Sequence, residues 1–455
     1  MAAATATAAP AVRATAPTAI PIATRTLHEE HQLTEVAPGL RVVTERMDSV
    51  RSVALGYWIG TGSAAEAEPQ AGLSHLVEHM LFRGTARYTS LEIDQLFDGM
   101  GAEVNAGTGK ESTSVYTRVL DGHLQAAHEA LADMVWRPRM GADDLAQERE
   151  IVLEEIAMYE DDPQEKVFDV LGEAVFGSHP LGRAIIGRPE VVAGTPAEDL
   201  AAFHAARYVP RNVVVAAAGA VEHDALVGLV RGTLGDRPRD APPPEHGAPP
   251  DVAHAPRRLF FAKTTEQYHV CLGAPAIARD DDRRFALRIL DTIFGGTSSS
   301  RLFQEVRENR GLAYAVYSFV SLHEGTGQVG LYLGTRPDNI PKAMAVVGEL
   351  LGRMQHDPAT AEELARAKEN LKGRVVLGLE STTGRMNRLG SSVLADMPVM
   401  ALDELVERID AVTLDDLAAL AAELWEPGRL SAAAIGGDED ILRAALEPVA
   451  PALAA

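Results

Sequence analysis

A proline-rich stretch near the middle of the chain constrains the fold more than any other feature of the sequence. Residues 231–256 read RGTLGDRPRDAPPPEHGAPPDVAHAP. Proline fixes φ and lacks a backbone donor, so this stretch favours a semi-extended linker over a helix or a central strand. Because one core stops growing at roughly 250 to 300 residues, a chain of 455 residues is expected to divide there. We therefore predict an N-terminal domain over residues 28–230 and a C-terminal domain over residues 257–455.

The order of predicted strands and helices recurs on the two sides of this linker. The segment DDLAQEREIVLEE of the first half aligns with EELARAKENLKGR of the second half. In this register Glu148 and Glu155 stand opposite Ala367 and Arg374. The pattern indicates an internal duplication in which the second half keeps the scaffold and lacks these two carboxylates.

The first 27 residues are rich in Ala, Thr and Pro and contain no acidic residue. This composition is similar to that of a transit peptide, but three prolines oppose a single amphipathic helix. We expect residues 1–27 to be a disordered tail on a protein of the bacterial cytoplasm. The mitochondrial matrix is the alternative compartment.

The charge balance bears on the partners of the chain. Lys and Arg number 42 against 65 Asp and Glu, which gives a formal net charge of −23. Binding of nucleic-acid phosphates needs a basic patch, so no nucleic-acid partner is expected. An acidic surface suits cationic ligands, or it only keeps the protein soluble. No apolar run approaches the roughly 20 residues of a membrane span, so none is expected.

The pentapeptide HLVEH, which begins at His75 and ends at His79, pairs two histidines four residues apart. On a helix such residues share one face, so both imidazoles can reach one metal ion while Glu78 stays on the same side. Catalytic zinc takes three protein ligands and keeps a fourth position for water, so a third ligand must come from elsewhere. By itself the motif is also compatible with a chance pair, one histidine capping a helix and the other half buried.

Candidates for the third ligand lie on the predicted helix QEREIVLEEIAMYED. Glu148 and Glu155 are seven residues apart, which is two helical turns, and so share a face, whereas Glu150 and Glu154 point away from them. One carboxylate of such a pair can bind the metal and the other can support a ligand. The spacing does not say which residue has which role.

The stretch GLSHLVEHMLFRGT together with EREIVLEEIAMYEDDP resembles the pitrilysin-type metallopeptidases, which are inverted zincins. The resemblance is closest to the branch of the bacterial processing proteases and the β subunit of the mitochondrial processing peptidase. It implies one zinc ion per chain, bound by His75, His79 and Glu155. It also implies that Glu78 is the general base and that Glu148 is the supporting acid of the family.

The resemblance extends over residues 30–445. It implies an α+β fold of two homologous α/β domains, each a mostly antiparallel sheet packed with helices. In the family the two domains face each other as a clam-like chamber, which limits substrates to short or unfolded polypeptides. The second domain is expected to lack metal ligands and to help bind substrate.

Four further residues match substrate-binding positions of the family. GAEVNAGTGKESTSVYT is similar to the edge strand on which substrates lie, and Asn105 and Ala106 match positions that touch the peptide backbone. Strand addition of this kind tolerates varied sequences, because main-chain hydrogen bonds do not depend on side chains. RLFQEVRENRGLAYAVYS is similar to the second signature of the family, in which an arginine and a tyrosine help bind substrate. These residues are Arg307 and Tyr314.

Glu165 and Asp169 match acids that in the mitochondrial enzymes recognise a basic residue near the cleavage point, although a solvated helix face would have the same pattern. The expected function is a zinc-dependent endopeptidase with a processing or peptide-degrading role. We expect a homodimer, because one chain carries both signatures; a heterodimer is the alternative. The alternatives in function are a structural subunit and a partner that presents peptides to another subunit.

Overall fold

The structure is a computed structural model that describes residues 24–28, 31–235 and 255–454. Most of the predicted tail and linker lies outside these residues, and the described parts differ at both borders. A strand over Thr24–His28 begins inside the predicted tail, because it pairs antiparallel with the strand that follows. The helix His223–Leu234 continues into the predicted linker, because its apolar face is buried as far as Leu234.

The first half of the chain forms one sheet and the helices around it. Its strands are β1 (Thr24–His28), β2 (His31–Ala37), β3 (Leu40–Arg46), β4 (Ser52–Ile59), β5 (Val104–Thr108), β6 (Thr113–Leu120) and β7 (Val213–Gly219). Its helices are α1 (Leu73–Met80), α2 (Ser90–Gly99), α3 (Leu124–Trp136), α4 (Ala142–Asp161), α5 (Pro163–Phe176), α6 (Pro189–Gly194), α7 (Ala197–Arg207) and α8 (His223–Leu234). The strand order is β1-β2-β3-β7-β4-β6-β5, with β3 and β7 parallel and the other neighbours antiparallel. β5 therefore lies at an edge of the sheet.

The second half forms another sheet. Its strands are β8 (Arg258–Ala262), β9 (Tyr268–Ala276), β10 (Ala315–His323), β11 (Thr326–Thr335) and β12 (Ser431–Gly436). Its helices are α9 (Arg284–Phe294), α10 (Ile340–His356), α11 (Ala361–Gly378), α12 (Thr382–Leu394), α13 (Leu402–Ala411), α14 (Leu414–Leu424), α15 (Glu439–Leu446) and α16 (Pro451–Ala454). The strand order is β10-β11-β9-β12-β8, with only β12 and β8 parallel. Within the described part of the chain, no helix has both the length and the apolar character that crossing a bilayer requires.

The two sheets have the same plan. The order β3-β7-β4-β6-β5 in the first corresponds strand by strand to β8-β12-β9-β11-β10 in the second, with the parallel pair in the same place. β1 and β2 are additions to the first sheet. The repeat agrees with an internal duplication, and the predicted α+β fold of two sheet-containing halves is confirmed.

Each sheet is covered on one face by a helix from the other half. In β7, Val213, Val215 and Ala217 face the core of the first half, whereas Val214 and Ala216 pack with α12 of the second half. Side chains alternate between the faces of a strand, so a central strand covered on both sides reads as a continuous apolar run. The sequence VVVAAAG has this form.

The converse contact is made by α5 of the first half, which packs on the second sheet. Val167, Leu171 and Val175 of α5 share a buried cluster with Ala433 and Ile435 of β12. The two halves have therefore exchanged one helix each, and neither sheet is enclosed by its own half alone.

A buried ionic group fixes α12 in this exchanged position. Arg385 of α12 pairs with Glu45 of β3, and the second oxygen of Glu45 lies 2.9 Å from Nε2 of His31. Glu45 is 1% exposed. Losing either partner of a buried charge leaves it uncompensated, so this contact specifies where α12 can dock.

Candidate metal centre and substrate cleft

The short helix α1 has one buried face and one face toward a cavity. Its core-facing residues are Leu73, Leu76, Val77 and Met80. His75, Glu78 and His79 occupy the remaining face, and His75 and Glu78 line the cavity. The three- and four-residue spacing of the apolar positions thus determines where both histidines point.

The start of α1 is held by a buried carboxylate. Glu66 accepts hydrogen bonds from the backbone amides of Gly72 at 2.8 Å and Ser74 at 2.7 Å, which satisfies donors that a helix start leaves unpaired. Gly72 has φ of +103° and lies so close to Gly187 that a Cβ on Gly187 would come within 2.2 Å of its Cα. Side chains are excluded from this junction, so α1 can approach the 187 loop.

The donor atoms of His75, His79 and Glu155 all lie within 4.8 Å of one another. Oε2 of Glu155 is 3.8 Å from Nε2 of His75 and 3.5 Å from Nε2 of His79. A tetrahedral ion bound at about 2.0 to 2.2 Å would separate its ligand atoms by roughly 3.3 to 3.6 Å. Two imidazole nitrogens and one carboxylate oxygen at these separations fit a zinc ion.

Glu148 has different surroundings from Glu155, although both lie on α4. Its Oε2 is 2.9 Å from Nδ1 of His79, and its Oε1 pairs with Arg83. The side chain is 5% exposed, against 33% for Glu155. Both oxygens of Glu148 are thus engaged away from the metal-facing nitrogen of His79. A histidine that binds a metal commonly donates its other nitrogen to a carboxylate in this manner.

The environment of His75 favours its neutral form. Burial, and then the charge of nearby His79, lower the pKa of His75 to about 4. The neutral imidazole is the form that binds a metal, so little proton competition is expected at neutral pH. Among the described residues, Nδ1 of His75 is buried without a hydrogen-bond partner, in contrast to Nδ1 of His79.

Glu78 lies beside the histidines and faces the end of β5. The hydroxyl of Thr108 donates to its Oε2. Burial raises the pKa of the Glu78 carboxyl, with a smaller rise from Glu155, whereas Thr108 and His79 lower it. The net direction is upward, which moves this carboxyl toward the range of a general base at neutral pH.

The cavity beside the histidines has a volume of about 510 Å³ and is bounded by both halves of the chain. The second half contributes Phe319, Ser321, His323 and Gln328. Glu165 and Asp169 of α5 line the cavity, and so does Lys110. Burial raises the pKa of Asp169, and Lys110 and then Lys166 oppose the rise. The acidic wall is therefore partly balanced by a lysine.

The other sequence-predicted residues are placed as follows. Asn105 and Ala106 lie on the edge strand β5, and Asn105 is exposed. The Arg307 guanidinium donates to the backbone oxygen of Tyr314 at 2.8 Å and stacks over its ring at 4.5 Å. Tyr314 is 77% exposed. Neither Arg307 nor Tyr314 is among the described residues that line the cavity beside the histidines.

Three residues of the site were not found by sequence reasoning. Thr108 contacts Glu78, Arg83 pairs with Glu148, and Lys110 lines the cavity together with Asp169. Arg83 lies in the turn that follows α1, four residues after His79, so helical spacing did not identify it. Thr108 and Lys110 become neighbours of the site only through the tertiary fold.

Two family models match the chain. Residues 41–188 match the model described as Insulinase (Peptidase family M16), and residues 196–371 match the model described as Peptidase M16 inactive domain. The second model begins in the first half, where it includes β7, and extends past Ala367, the residue that stands opposite Glu148. Its description agrees with a second half that lacks the acidic residues of the first.

Several bacterial proteins and solved structures are similar to this chain. A protein named uncharacterized zinc protease from Mycobacterium leprae is 40% identical over 406 residues, which cover 89% of this chain and 91% of that protein. One of the same name from Bacillus subtilis is 38% identical over 387 residues, covering 85% and 94%. The crystal structure of a protease from Helicobacter pylori has a TM-score of 0.83 at 20% identity, covering 89% of this chain and 99% of that one. That structure shows the fold alone.

The two family models together match well over half of the chain, and the relatives match it along most of its length. This chain belongs to peptidase family M16, the pitrilysin-type metallopeptidases.

Proposed function

We propose that this protein is a zinc-dependent endopeptidase that hydrolyses short or unfolded polypeptides. The observation that carries the proposal is the convergence of one donor atom each from His75, His79 and Glu155, with Glu78 beside them in the same cavity. The relatives named zinc protease support the same reaction class and metal. One zinc ion per chain would be held by the three residues.

The residues of the site would divide the chemistry between them. When bound, zinc supplies a Lewis acid that polarises the scissile carbonyl and makes a water molecule easier to deprotonate. Glu78 takes the proton from the attacking water and returns it to the leaving amine. Thr108 orients the Glu78 carboxylate through its hydrogen bond. Glu148 fixes the ring of His79 and is itself held by Arg83.

The substrate would lie as an added strand along β5, with Asn105 and Ala106 against its backbone. β5 supports this because it lies at the sheet edge and ends at Thr108, which contacts Glu78. Glu165 and Asp169 would attract a basic residue of the substrate, an attraction that Lys110 reduces. We propose that Arg307 and Tyr314 bind the peptide farther from the metal.

We also propose an assembly and a compartment for this protein. Because one chain carries both the metal cluster and the Arg307–Tyr314 pair, a homodimer would be self-sufficient. The named relatives are bacterial proteins, and the proposed compartment is the bacterial cytoplasm. A processing or peptide-degrading role is the proposed use of the activity.

The test combines metal content with cleavage. Elemental analysis of the purified wild type should find about one zinc per chain, and a quenched peptide with a basic residue should be cut. His79→Ala should lose both zinc and cleavage. Exposed Glu154→Gln, on the same helix as Glu155 but pointing away from the cluster, is the control and should retain both. A folded wild type that neither binds added zinc nor cleaves the peptide would favour a structural or peptide-presenting subunit instead.

A further inference from the structure

A small cavity of about 250 Å³ lies in the second half of the chain, away from the metal cluster. It is bounded by the start of α9, the end of β10 and the segment that runs from α12 into α13. Among the described residues, none that lines this cavity also lines the cavity beside the histidines. A molecule bound here would therefore not touch the proposed metal site.

The charged side chains that line this small cavity are all cationic. They are the guanidinium groups of Arg279, Arg284 and Arg388, and within the described part of the chain no acidic residue joins them. The whole chain has 65 acidic residues against 42 Lys and Arg. The cavity thus reverses the overall charge of the protein, which favours an anion as its ligand.

Two of the three arginines already have a carboxylate partner. Arg279 donates to Oε2 of Glu111 at 2.9 Å, and Nη1 of Arg284 lies 3.5 Å from Oδ1 of Asp282. Neither carboxylate belongs to a residue that lines the cavity. These two pairs leave one positive charge at the cavity, that of Arg388.

Arg388 is a cation without a counter-charge in its surroundings. Its guanidinium donates to the backbone oxygen of Met400, and no described carboxylate lies within ion-pair distance of it. Burial, and then the charge of nearby Arg385, lower the pKa of Arg388. Removing a charge from water is costly unless a partner of opposite charge compensates for it. A bound anion would supply that partner.

Two hydroxyl groups lie on the same side of α12 as Arg388. Ser391 and Ser392 follow Arg388 by three and four residues, and both line the cavity. Residues at these spacings are neighbours on a helix surface. Serine hydroxyls can donate to an anion, so this face of α12 presents one guanidinium and two further donors.

The rest of the cavity wall is apolar. Its residues are Phe285, Leu322, Met397, Pro398, Met400 and Leu405. Phosphate would leave these side chains without an apolar contact, whereas a carboxylate attached to an apolar group would use both parts of the wall. The planar guanidinium fork also matches a carboxylate. The volume is below the usual range of ligand pockets, so the apolar group must be small.

We propose that this cavity binds a carboxylate that carries a small branched apolar group, with Arg388 as its anion-binding residue. A free organic acid and the C-terminal carboxylate of a polypeptide with an apolar last residue both have this chemistry. The proposal goes beyond the peptidase function and does not depend on it, because the two sites share no lining residue.

The test is calorimetric titration of the full chain with isocaproate, with N-acetylalanylleucine and with inorganic phosphate. Isocaproate should bind saturably to one site per chain. Arg388→Met should weaken this binding by about 10- to 100-fold, the size expected for losing a hydrogen bond to a charged group. Arg388→Lys should restore only part of the affinity, because an ammonium lacks the planar fork.

The three ligands also decide between the sources of the carboxylate. Tighter binding of N-acetylalanylleucine than of isocaproate would identify the end of a polypeptide, and weaker binding would identify a free acid. Phosphate that binds as tightly as both carboxylates would overturn the proposal, and so would a folded wild type that binds neither carboxylate saturably.

The matched control is Arg408→Met. Arg408 is 45% exposed, lies 3.8 Å from both Asp282 and Glu404, and is not a lining residue of the cavity. This variant should bind isocaproate as wild type does. An equal loss in Arg408→Met and Arg388→Met would mean that only the general charge of the region attracts the anion, which contradicts a built site.

Two further variants complete the test. Because zinc also binds carboxylates, His79→Ala is titrated as well and should bind isocaproate as wild type does; loss of binding in this folded variant would place the anion at the metal cluster instead. If Arg388→Met unfolds, Ser392→Asp decides, since its carboxylate would lie one turn from Arg388 and take the place of the anion. Binding retained by folded Ser392→Asp would overturn the proposal.

Discussion

Glu148 and Glu155 illustrate how residues with the same spacing acquire different tasks. Both lie on α4, two turns apart, and each is near a nitrogen of His79. Glu148 falls on the apolar stripe of the helix between Leu145 and Val152, so it is buried and needs the Arg83 charge. Glu155 remains one-third exposed at the cavity. Burial and the pairing with Arg83 distinguish Glu148 from Glu155, and helical periodicity does not.

This difference predicts that substitutions of Glu155 and Glu148 weaken zinc binding to different extents. Glu155→Gln should remove a zinc ligand and leave substoichiometric metal after dialysis. Glu148→Gln should keep the three ligands and weaken zinc binding by about 10- to 100-fold, because it frees the ring of His79. Competition with a chelator measures both affinities. Glu154→Gln is the control on the same helix, and an affinity for Glu148→Gln equal to that of this control would contradict the assignment.

The proposed base gives a separate prediction. Glu78→Gln should lower kcat by about 10² to 10⁴, the usual size of a lost acid–base group, while zinc content stays near wild type. Steady-state cleavage together with elemental analysis measures the two effects. Exposed Glu150→Gln should behave as wild type. Substantial cleavage by folded, zinc-loaded Glu78→Gln would mean that another group takes the proton.

Part of the site could be predicted from the sequence. The pairing of His75 with His79 depends on helical spacing alone, and that spacing also keeps Glu78 nearby. The choice between Glu148 and Glu155 needed a resemblance, because their spacing is symmetric. Thr108 and Glu111 could not be predicted at all, since their contacts join segments 30 and more than 150 residues apart along the chain.

At the scale of single elements, α12 shows how a helix of the second half packs against the first sheet. Gly390 of α12 lies against the indole of Trp58, so that a Cβ at this position would be 2.2 Å from the ring. Trp58 is itself 5% exposed. The missing side chain is what allows the helix backbone to reach the sheet.

Alanine at Gly390 should therefore destabilise the protein, although alanine normally favours a helix. The overlap with Trp58 should lower the free energy of unfolding by about 1 to 3 kcal/mol, as overpacked cores do. Gly373→Ala in α11, where no neighbour lies within 4 Å of the new Cβ, should instead raise it by about 0.5 to 1 kcal/mol. Urea unfolding of both variants measures the contrast, and equal shifts would contradict this packing.

Most elements could be located from their patterns, whereas their partners could not. The acidic segment QEREIVLEEIAMYED, predicted to be helical, lies within α4, and the HLVEH motif lies on α1. Apolar spacing identifies a buried face but not what covers it. The exchange of α5 and α12 was accordingly not foreseen, because either helix would fit a sheet of its own half equally well in sequence.

For the whole molecule, the two halves share one sheet topology but contribute different groups to the candidate site. The two sheets share a strand order, yet in the second half the position of Glu155 is taken by Arg374, which donates to the backbone oxygen of Gly296 at 3.4 Å. A cation there opposes metal binding. The second half contributes instead a wall of the cavity. It also provides the Arg279 guanidinium and the Glu324 amide, which donate to the carboxylate of Glu111 in the first half.

The exchanged helices predict how the halves depend on each other. A specific protease site introduced between residues 236 and 254 should allow the chain to be cut while both pieces still elute together, because α5 and α12 hold them. After separation in denaturant, neither piece should refold alone, and mixing them should restore the native circular dichroism. Size-exclusion chromatography measures this association. Pieces that separate without denaturant, or that fold singly, would contradict the role of the exchange.

Because α12 follows β7 in the chain, the first sheet is synthesised before the helix that covers one of its faces. The face of the first sheet that α12 covers contains Val43, Ala54, Trp58, Val214, Ala216 and Ala218. α12 ends about 175 residues after β7, so at roughly 5 to 20 residues per second this apolar face waits on the order of ten to thirty seconds for its cover. During that interval the uncovered apolar face can aggregate. It is also a surface to which ribosome-associated chaperones would bind.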